Sequence, residues 1–145
     1  MLRRLILAPI FVLLVAIPSC QSYSSGLQQS VSRADETAAI GALRTIVTAQ
    51  RSYSITSGEY GTLQQLADAG LLDARFRGSN PVKDYVLTLQ VTSKAAGAQE
   101  GSYSCNADPA QPETRSGRHF YIDSTSGQIH VNDAQPATVT DKTLN

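Results

Sequence analysis

The sequence contains two cysteines and two histidines, side chains that often act as nucleophiles or metal ligands: Cys20, Cys105, His119 and His130. Cys20 closes an N-terminal segment in which Arg3 and Arg4 precede thirteen predominantly apolar residues, 5–17. A helix of that length spans roughly 20 Å, whereas a bilayer hydrocarbon core is about 30 Å thick. The segment is therefore too short for a transmembrane helix and has the form of a signal peptide over residues 1–19. The thiolate of Cys20 is the strongest side-chain nucleophile available for alkylation.

The residues around Cys20 resemble the lipobox of bacterial lipoproteins. Ile17, Ser19 and Cys20 match its aliphatic, small and cysteine positions, and Pro18 replaces the more usual Ala or Ser. The resemblance implies cleavage before Cys20 and a thioether-linked diacylglycerol on its sulfur, so we expect a lipid-anchored envelope protein. Gln21 after the cysteine implies sorting to the outer membrane, in an organism that has one. An ordinary signal peptide with an incidental cysteine is the alternative.

Apart from the acylation of Cys20, the sequence gives little support for catalysis. The sequence contains no Gly-x-Ser-x-Gly, phosphate loop, His-Glu-x-x-His or Cys-x-x-Cys motif. Cys105 with His119 is a possible nucleophile pair, and a buried thiol without reactivity is the alternative that we favour. Once Cys20 is acylated, Cys105 has no partner for an intramolecular disulfide. We therefore expect no enzymatic activity, and keep a small envelope enzyme that uses Cys105 as a competing hypothesis.

The two histidines and the acidic residues near the C-terminus are candidate metal ligands. His119 and His130 fall on two strands of a predicted hairpin, and one hypothesis is that they bind a metal together with Asp123 or Asp133. Two solvated strand histidines are the favoured alternative, because a closed site needs three or four convergent ligands. The acidic residues around Asn132 do not have the spacing of a calcium loop, and Asp123 suits the cap of a turn. We expect no metal and no cofactor.

Composition excludes nucleic acid as a partner. Without residues 1–19 the chain has 126 residues, 10 of them basic and 12 acidic, for a formal net charge of −2. Such a chain forms one small domain without a basic stripe. Four arginines lie in or beside predicted loops, and one hypothesis is that they form a patch for an acidic partner: Arg75, Arg77, Arg115 and Arg118. Ordinary solubilising charge is the default explanation for them.

The helices come first in the chain. We expect a lipidated cysteine and flexible tether over 20–32, then a helix over 33–56 with Ser32 as its cap. Seven residues fall at spacings of three and four along this helix, on one stripe that is apolar except for Gln50: Ala39, Ile40, Leu43, Ile46, Val47, Gln50 and Tyr53. Gly58 suits a helix end, and Thr62 with Gln65 predicts a capping box that starts a short second helix. Leu71 and Leu72 are expected in the core, before a loop over 73–83.

Strands follow the helices. Alternation over 85–91 predicts one strand, and a second is expected over 102–106, before a loop over 107–116. Residues 118–123 and 128–131 predict a hairpin around the turn 124–127. Residues 134–145 lack periodicity and are expected to be a disordered tail. The folded domain therefore spans 33–133, as an α+β fold with a long helix packed on three or four antiparallel strands.

This layout resembles the globular head of type IV pilins and type II secretion pseudopilins. The resemblance rests on the runs Glu36–Ile46 and Gly58–Leu66, on Gly70-Leu71-Leu72-Asp73, and on the closing hairpin that contains Phe120 and Ile129. It implies assembly or binding in the cell envelope, with a pseudopilin-like filament subunit as an alternative. The apolar helix of about 20 residues that packs a pilin filament is missing here. We therefore expect a monomeric head that is held to the membrane through the lipid on Cys20 and binds an envelope protein.

Overall fold

The computed structural model describes residues 21–78, 82–94, 101–111 and 117–144, with side chains described from residue 31 onward. The fold is α+β, as predicted. Helix α1 (Gln21–Ser57) is followed by helix α2 (Leu63–Asp68) and one 3₁₀ turn (Ala74–Arg77). The sheet has five antiparallel strands, where three or four were expected: β1 (Tyr85–Thr92), β2 (Ser102–Pro109), β3 (His119–Asp123), β4 (His130–Asn132) and β5 (Lys142–Thr143).

The apolar stripe of α1 forms one side of the core. Leu43 and Ile46 are fully buried, and Ala39 and Gln50 are equally inaccessible to solvent. Side chains from the sheet meet this stripe, among them Cys105, Phe120 and Ile122. The helical periodicity in the sequence thus located the core face of α1 correctly, because burial of one stripe is what orients a surface helix.

Helix α1 begins earlier than the sequence indicated. It runs back to Gln21, so the expectation of a flexible tether over 20–32 and of a helix start at Ser32 is wrong for residues 21–32. Ser, Gln and Leu are tolerated in helices, Gly26 costs only about 1 kcal/mol, and no proline interrupts this segment. An existing helix extends at little cost through such residues, because its nucleus has already formed.

A buried amide fastens the end of α1 to the segment that follows. Nε2 of Gln50 donates to the carbonyl oxygen of Gly61 over 2.7 Å, and the Gly61 N–H donates to Oε1 of Gln50 over 2.9 Å. A Cβ on residue 61 would lie 3.0 Å from the ring of Tyr53, which explains the glycine. The predicted helix end at Gly58, where φ is +77°, and the predicted Thr62–Gln65 capping box are both confirmed.

The strands are arranged in chain order, each antiparallel to the next. Cys105 pairs with Ile122 and Ala107 with Phe120, and all four side chains belong to the core. Because side chains alternate along a strand, residues between them point to the opposite, outer face. Strand β2 extends to Pro109, so the loop expected from residue 107 begins later than predicted.

The C-terminal residues are part of the fold, and the expectation of a disordered tail over 134–145 is wrong for residues 134–144. Lys142 pairs with Val131, and the Leu144 N–H donates to the Ile129 carbonyl over 2.7 Å. Ala137 is buried. This segment is held by backbone hydrogen bonds to β4 and by single polar side chains, and such side chains leave no periodic pattern in a sequence.

Candidate functional site

The outer face of the sheet carries most of the side chains that could act as an acid, a base or a metal ligand. Strands β2, β3 and β4 place polar residues there, in three adjacent rows: Asn106, Asp108, His119, Tyr121, Asp123, His130 and Asn132. We call this set the outer-face polar cluster. On each strand, the residues that neighbour a member of the cluster face the core. The alternation of side chains along the strands therefore places the cluster on the outer face.

His119 is engaged by a neighbouring strand. Its Nδ1 lies 2.6 Å from Oδ1 of Asp108, and the side chain is almost fully buried. An ionised carboxylate only accepts hydrogen bonds, so Nδ1 carries a proton in this contact. The pair holds β3 to β2 at the edge of the cluster.

His130 is engaged by the C-terminal segment. Its Nδ1 lies 2.8 Å from the carbonyl oxygen of Asp141 and must donate to it. The ring is 6% exposed, and Nε2 has no hydrogen-bond partner among the described residues.

The two histidines do not face each other. His119 pairs with Asn132 across the ladder, and His130 pairs with Tyr121. Asp133, the other candidate ligand, lies 3.3 Å from Nζ of Lys142. In the part of the chain that the structure describes, no three His, Cys, Asp or Glu side chains are grouped closely enough to hold a metal ion.

Asp123 caps the β3–β4 turn, as the sequence indicated. Its Oδ1 accepts from the N–H groups of Thr125 and Ser126 over 2.9 and 2.8 Å. Burial alone would raise the pKa of this carboxyl, but the hydrogen bonds from Ser126 and Thr125 outweigh it and lower the pKa below its ordinary value. Asp123 is therefore a structural carboxylate with its acceptor sites in use.

A strap formed by residues 133–141 crosses the outer face. Nδ2 of Asn106 donates to the carbonyl of Ala137 over 2.9 Å, and Nδ2 of Asn132 donates to Oδ1 of Asp141 over 2.9 Å. Hydrogen bonds from the Thr138 N–H and from the Asn132 side chain lower the pKa of Asp141. The sequence analysis missed this cover, although the spacing of Thr138 and Asp141 is that of a hydrogen-bonded turn.

Cys105 points to the opposite side of the sheet from His119. Its side chain is fully buried, and burial raises the pKa of the thiol to about 12. A thiol in that environment is not ionised near neutral pH and has no access to solvent. The geometry therefore gives no support to a nucleophile pair of Cys105 and His119.

Three of the four arginines proposed as a patch are described, and each makes a separate contact. Arg77 pairs with Asp68 over 2.9 Å, and Arg75 lies over the ring of Phe76. Arg118 binds Glu36 through Nε and one terminal nitrogen, a contact that ties β3 to α1 and raises the pKa of the guanidinium. Arg115 lies outside the described residues.

Unpaired arginines lie on α1 instead. Arg33, Arg44 and Arg51 are exposed, and no described residue forms an ion pair with their guanidiniums. Their spacings of eleven and seven residues place them along one line of the helix. Arg44 also lines an open cleft of about 420 Å³ whose walls include Val47, Ile129 and Leu144. Among the described residues that line the cleft, Arg44 is the one charged side chain.

The anchoring residue predicted from the sequence, Cys20, lies outside the described residues. None of the described helices combines the length and the apolar character needed to cross a membrane. Comparison with known protein families, curated proteins and solved structures finds no match for this chain.

Proposed function

We propose that this chain is a lipid-anchored envelope protein whose α+β domain acts in assembly or binding and not in catalysis. The observation that carries the proposal is the N-terminal segment. Arg3 and Arg4, the apolar run 5–17 and Cys20 follow each other with the spacing of an acylated export signal. The lipid on Cys20 supplies the membrane attachment that the described helices do not provide.

The position of α1 supports this attachment. The described part of α1 runs from Gln21, the residue that follows Cys20 in the sequence, and its 37 residues extend for roughly 55 Å. Among the described side chains of α1, the buried ones lie between Ala39 and Gln50, so the sheet packs against the C-terminal half of the helix. The N-terminal half separates the sheet from residue 20, which suits a domain that meets partners away from the bilayer.

The state of the reactive side chains supports a non-catalytic role. His119 and Asp108 hold each other, His130 holds the strap, and Cys105 is buried in the core. Each of these groups is used to stabilise the fold. A catalytic site would need a nucleophile and a base that are within reach of each other and open to substrate.

A filament subunit of the pseudopilin type is the second candidate function. The long α1 packed on an antiparallel sheet favours it, since that is the layout expected from the resemblance. The two candidates differ at the N-terminus. Mass spectrometry of the mature chain should find an acylated Cys20 for the lipoprotein, and an intact apolar segment for the filament subunit.

Our first prediction is that Cys20→Ala abolishes membrane attachment of the full chain. Stable anchoring takes two acyl chains, and both are lost with the sulfur. Fractionation of expressing cells measures the effect, and Cys105→Ala, which removes the other thiol, should leave the chain in the membrane fraction. Protein that still sediments with membranes after Cys20→Ala would overturn the lipoprotein proposal.

A further inference from the structure

Strand β1 is the outermost strand at one side of the sheet, and the direction of its free backbone groups follows from its register. The Ala110 N–H donates to the Asp84 carbonyl over 2.9 Å, and these two residues continue the β1–β2 pairing. Hydrogen bonding alternates along an antiparallel strand, so the even-numbered residues of β1 bond to β2. The odd-numbered residues point their N–H and C=O groups away from the sheet.

Three residues of this edge are available for pairing. The Tyr85 N–H already donates to the Val82 carbonyl over 3.3 Å, which leaves Leu87, Leu89 and Val91. No described residue bonds to their outward N–H or C=O groups. Strand β1 also has no charged residue and no proline over its eight positions. Natural edge strands usually carry such residues to prevent pairing with another strand.

We propose that β1 pairs antiparallel with β1 of a second copy of this chain, around a two-fold axis at Leu89. Leu89 then lies opposite Leu89 of the second copy, and Leu87 lies opposite Val91. All three free residues exchange hydrogen bonds in this register, which joins the two sheets into one of ten strands. A shift of two residues in either direction leaves one of the three unpaired or collides with the Val82–Tyr85 bridge.

A second copy fits this edge because the edge is complementary to itself. In the symmetric register Thr88 faces Gln90, so no like charges meet. Leu89 and Val91 are half-buried in the single chain and would be covered by their counterparts. Such apolar cross-strand pairs each stabilise a sheet by a few tenths of a kcal/mol to about 1 kcal/mol. An acidic or basic partner strand would find no opposite charge on β1.

The symmetry also fixes the arrangement of the helices. A two-fold axis between antiparallel strands of one sheet runs perpendicular to the sheet, so both α1 helices lie on the same face and run in opposite directions. This inference goes beyond the proposed function and does not depend on the lipid. A monomer was predicted from the sequence because the filament-packing helix is missing. The edge of the sheet offers a contact that does not need that helix.

Site-directed crosslinking tests the register. Thr88 and Gln90 are exposed, and opposing residues at their positions would form a non-hydrogen-bonded pair with Cα atoms about 4.5 Å apart, within the range for a disulfide. Full chains that carry Thr88→Cys and Gln90→Cys separately, with different tags, are co-expressed and oxidised gently. We expect a disulfide-linked heterodimer in at least tenfold excess over the pair Thr88→Cys with Thr125→Cys, which places the second thiol in the remote β3–β4 turn.

Wild-type chain in the same assay measures any background from Cys20 and Cys105. Equal yields from the two pairs, or no crosslinked product from either, would overturn the proposed interface.

Charge exchange provides a second, independent measurement. In the symmetric register, T88K/Q90K places lysines against lysines, and T88E/Q90E places glutamates against glutamates. We expect light scattering of the full chain in a non-ionic detergent to show dimers for wild type, monomers for either variant alone, and dimers again for an equimolar mixture. A wild-type chain that stays monomeric at about 100 μM would overturn the proposal, as would variants that dimerise alone. Lipid attachment of Cys20 is scored separately by fractionation, so the failure of one proposal does not imply the failure of the other.

Discussion

The two faces of the sheet are covered by different means. On the core face, α1 contributes an apolar stripe that packs against Phe120 and Ile122 without a hydrogen bond between these side chains. On the outer face, the strap is held by single polar contacts, from Asn106 to Ala137 and from His130 to Asp141. Apolar packing repeats with the helical period and is visible in a sequence. Hydrogen bonds between residues that are far apart in the chain are not.

The largest effect is expected on the core face. Leu43→Ala should lower the free energy of unfolding by about 2–4 kcal/mol, because a fully buried leucine loses its contacts and leaves a cavity. Urea unfolding measures the change, with the exposed Thr45→Ala on the same helix as control. An unchanged midpoint for Leu43→Ala would show that the stripe of α1 is not the core.

A smaller loss of stability is expected from removing the buried Gln50 amide, which holds α1 to the segment that follows it. Gln50→Leu removes both hydrogen bonds to Gly61 and leaves a buried N–H and a buried C=O without partners. Each unpaired buried group costs roughly 1–3 kcal/mol, and the added apolar contact offsets part of that, so we expect a loss of about 2 kcal/mol. Gln64→Leu on the exposed side of α2 is the matched control. Equal unfolding midpoints for the two variants would contradict the role of the Gln50 amide.

The elements that were predicted well share a local cause. The stripe from Ala39 to Tyr53, the capping box at Thr62 and the alternation in β1 each follow from residues within one or two turns or one strand. The Asp123 turn is local in the same sense, since its carboxylate binds N–H groups two and three residues ahead. Such features depend on spacing alone, and spacing can be read without a structure.

The elements that were missed depend on distant partners. Asn106 and Ala137 are 31 residues apart, and Glu36 and Arg118 are 82 apart. Nothing in the local sequence indicates that Arg118 has an ion-pair partner on α1, so it was grouped with loop arginines. Exposed arginines without a described ion-pair partner lie instead on α1, at Arg33, Arg44 and Arg51.

The strap provides a way to test the outer face by itself. Asn106→Ala removes the hydrogen bond to the Ala137 carbonyl, and we expect a loss of about 1 kcal/mol. Hydrogen exchange should accelerate at residues 137–144 more than at α1, because local opening releases the strap before the core. Thr88→Ser, across the ladder from Asn106 on the same face, is the control. Uniform acceleration across the domain would indicate that the strap and the core unfold together.

The smallest effect is expected from acid, and it concerns the same face. Asp123 is buried, which by itself raises its pKa, yet hydrogen bonds from Ser126 and Thr125 lower the pKa below the unfolded value of about 3.9. The folded state therefore holds the proton less tightly than the unfolded state does. A carboxylate of this kind stabilises the fold above the unfolded pKa, and that contribution disappears as pH falls through the folded pKa.

Urea midpoints of the wild type should thus decline below about pH 4, and the decline should be shallower for Asp123→Asn, which keeps an acceptor oxygen but cannot ionise. Glu59→Gln removes an exposed carboxylate and should leave the slope unchanged. If Asp123→Asn and the wild type decline in parallel, the turn carboxylate does not contribute to acid sensitivity, and the polar face would owe its stability to neutral hydrogen bonds such as that of Asn106.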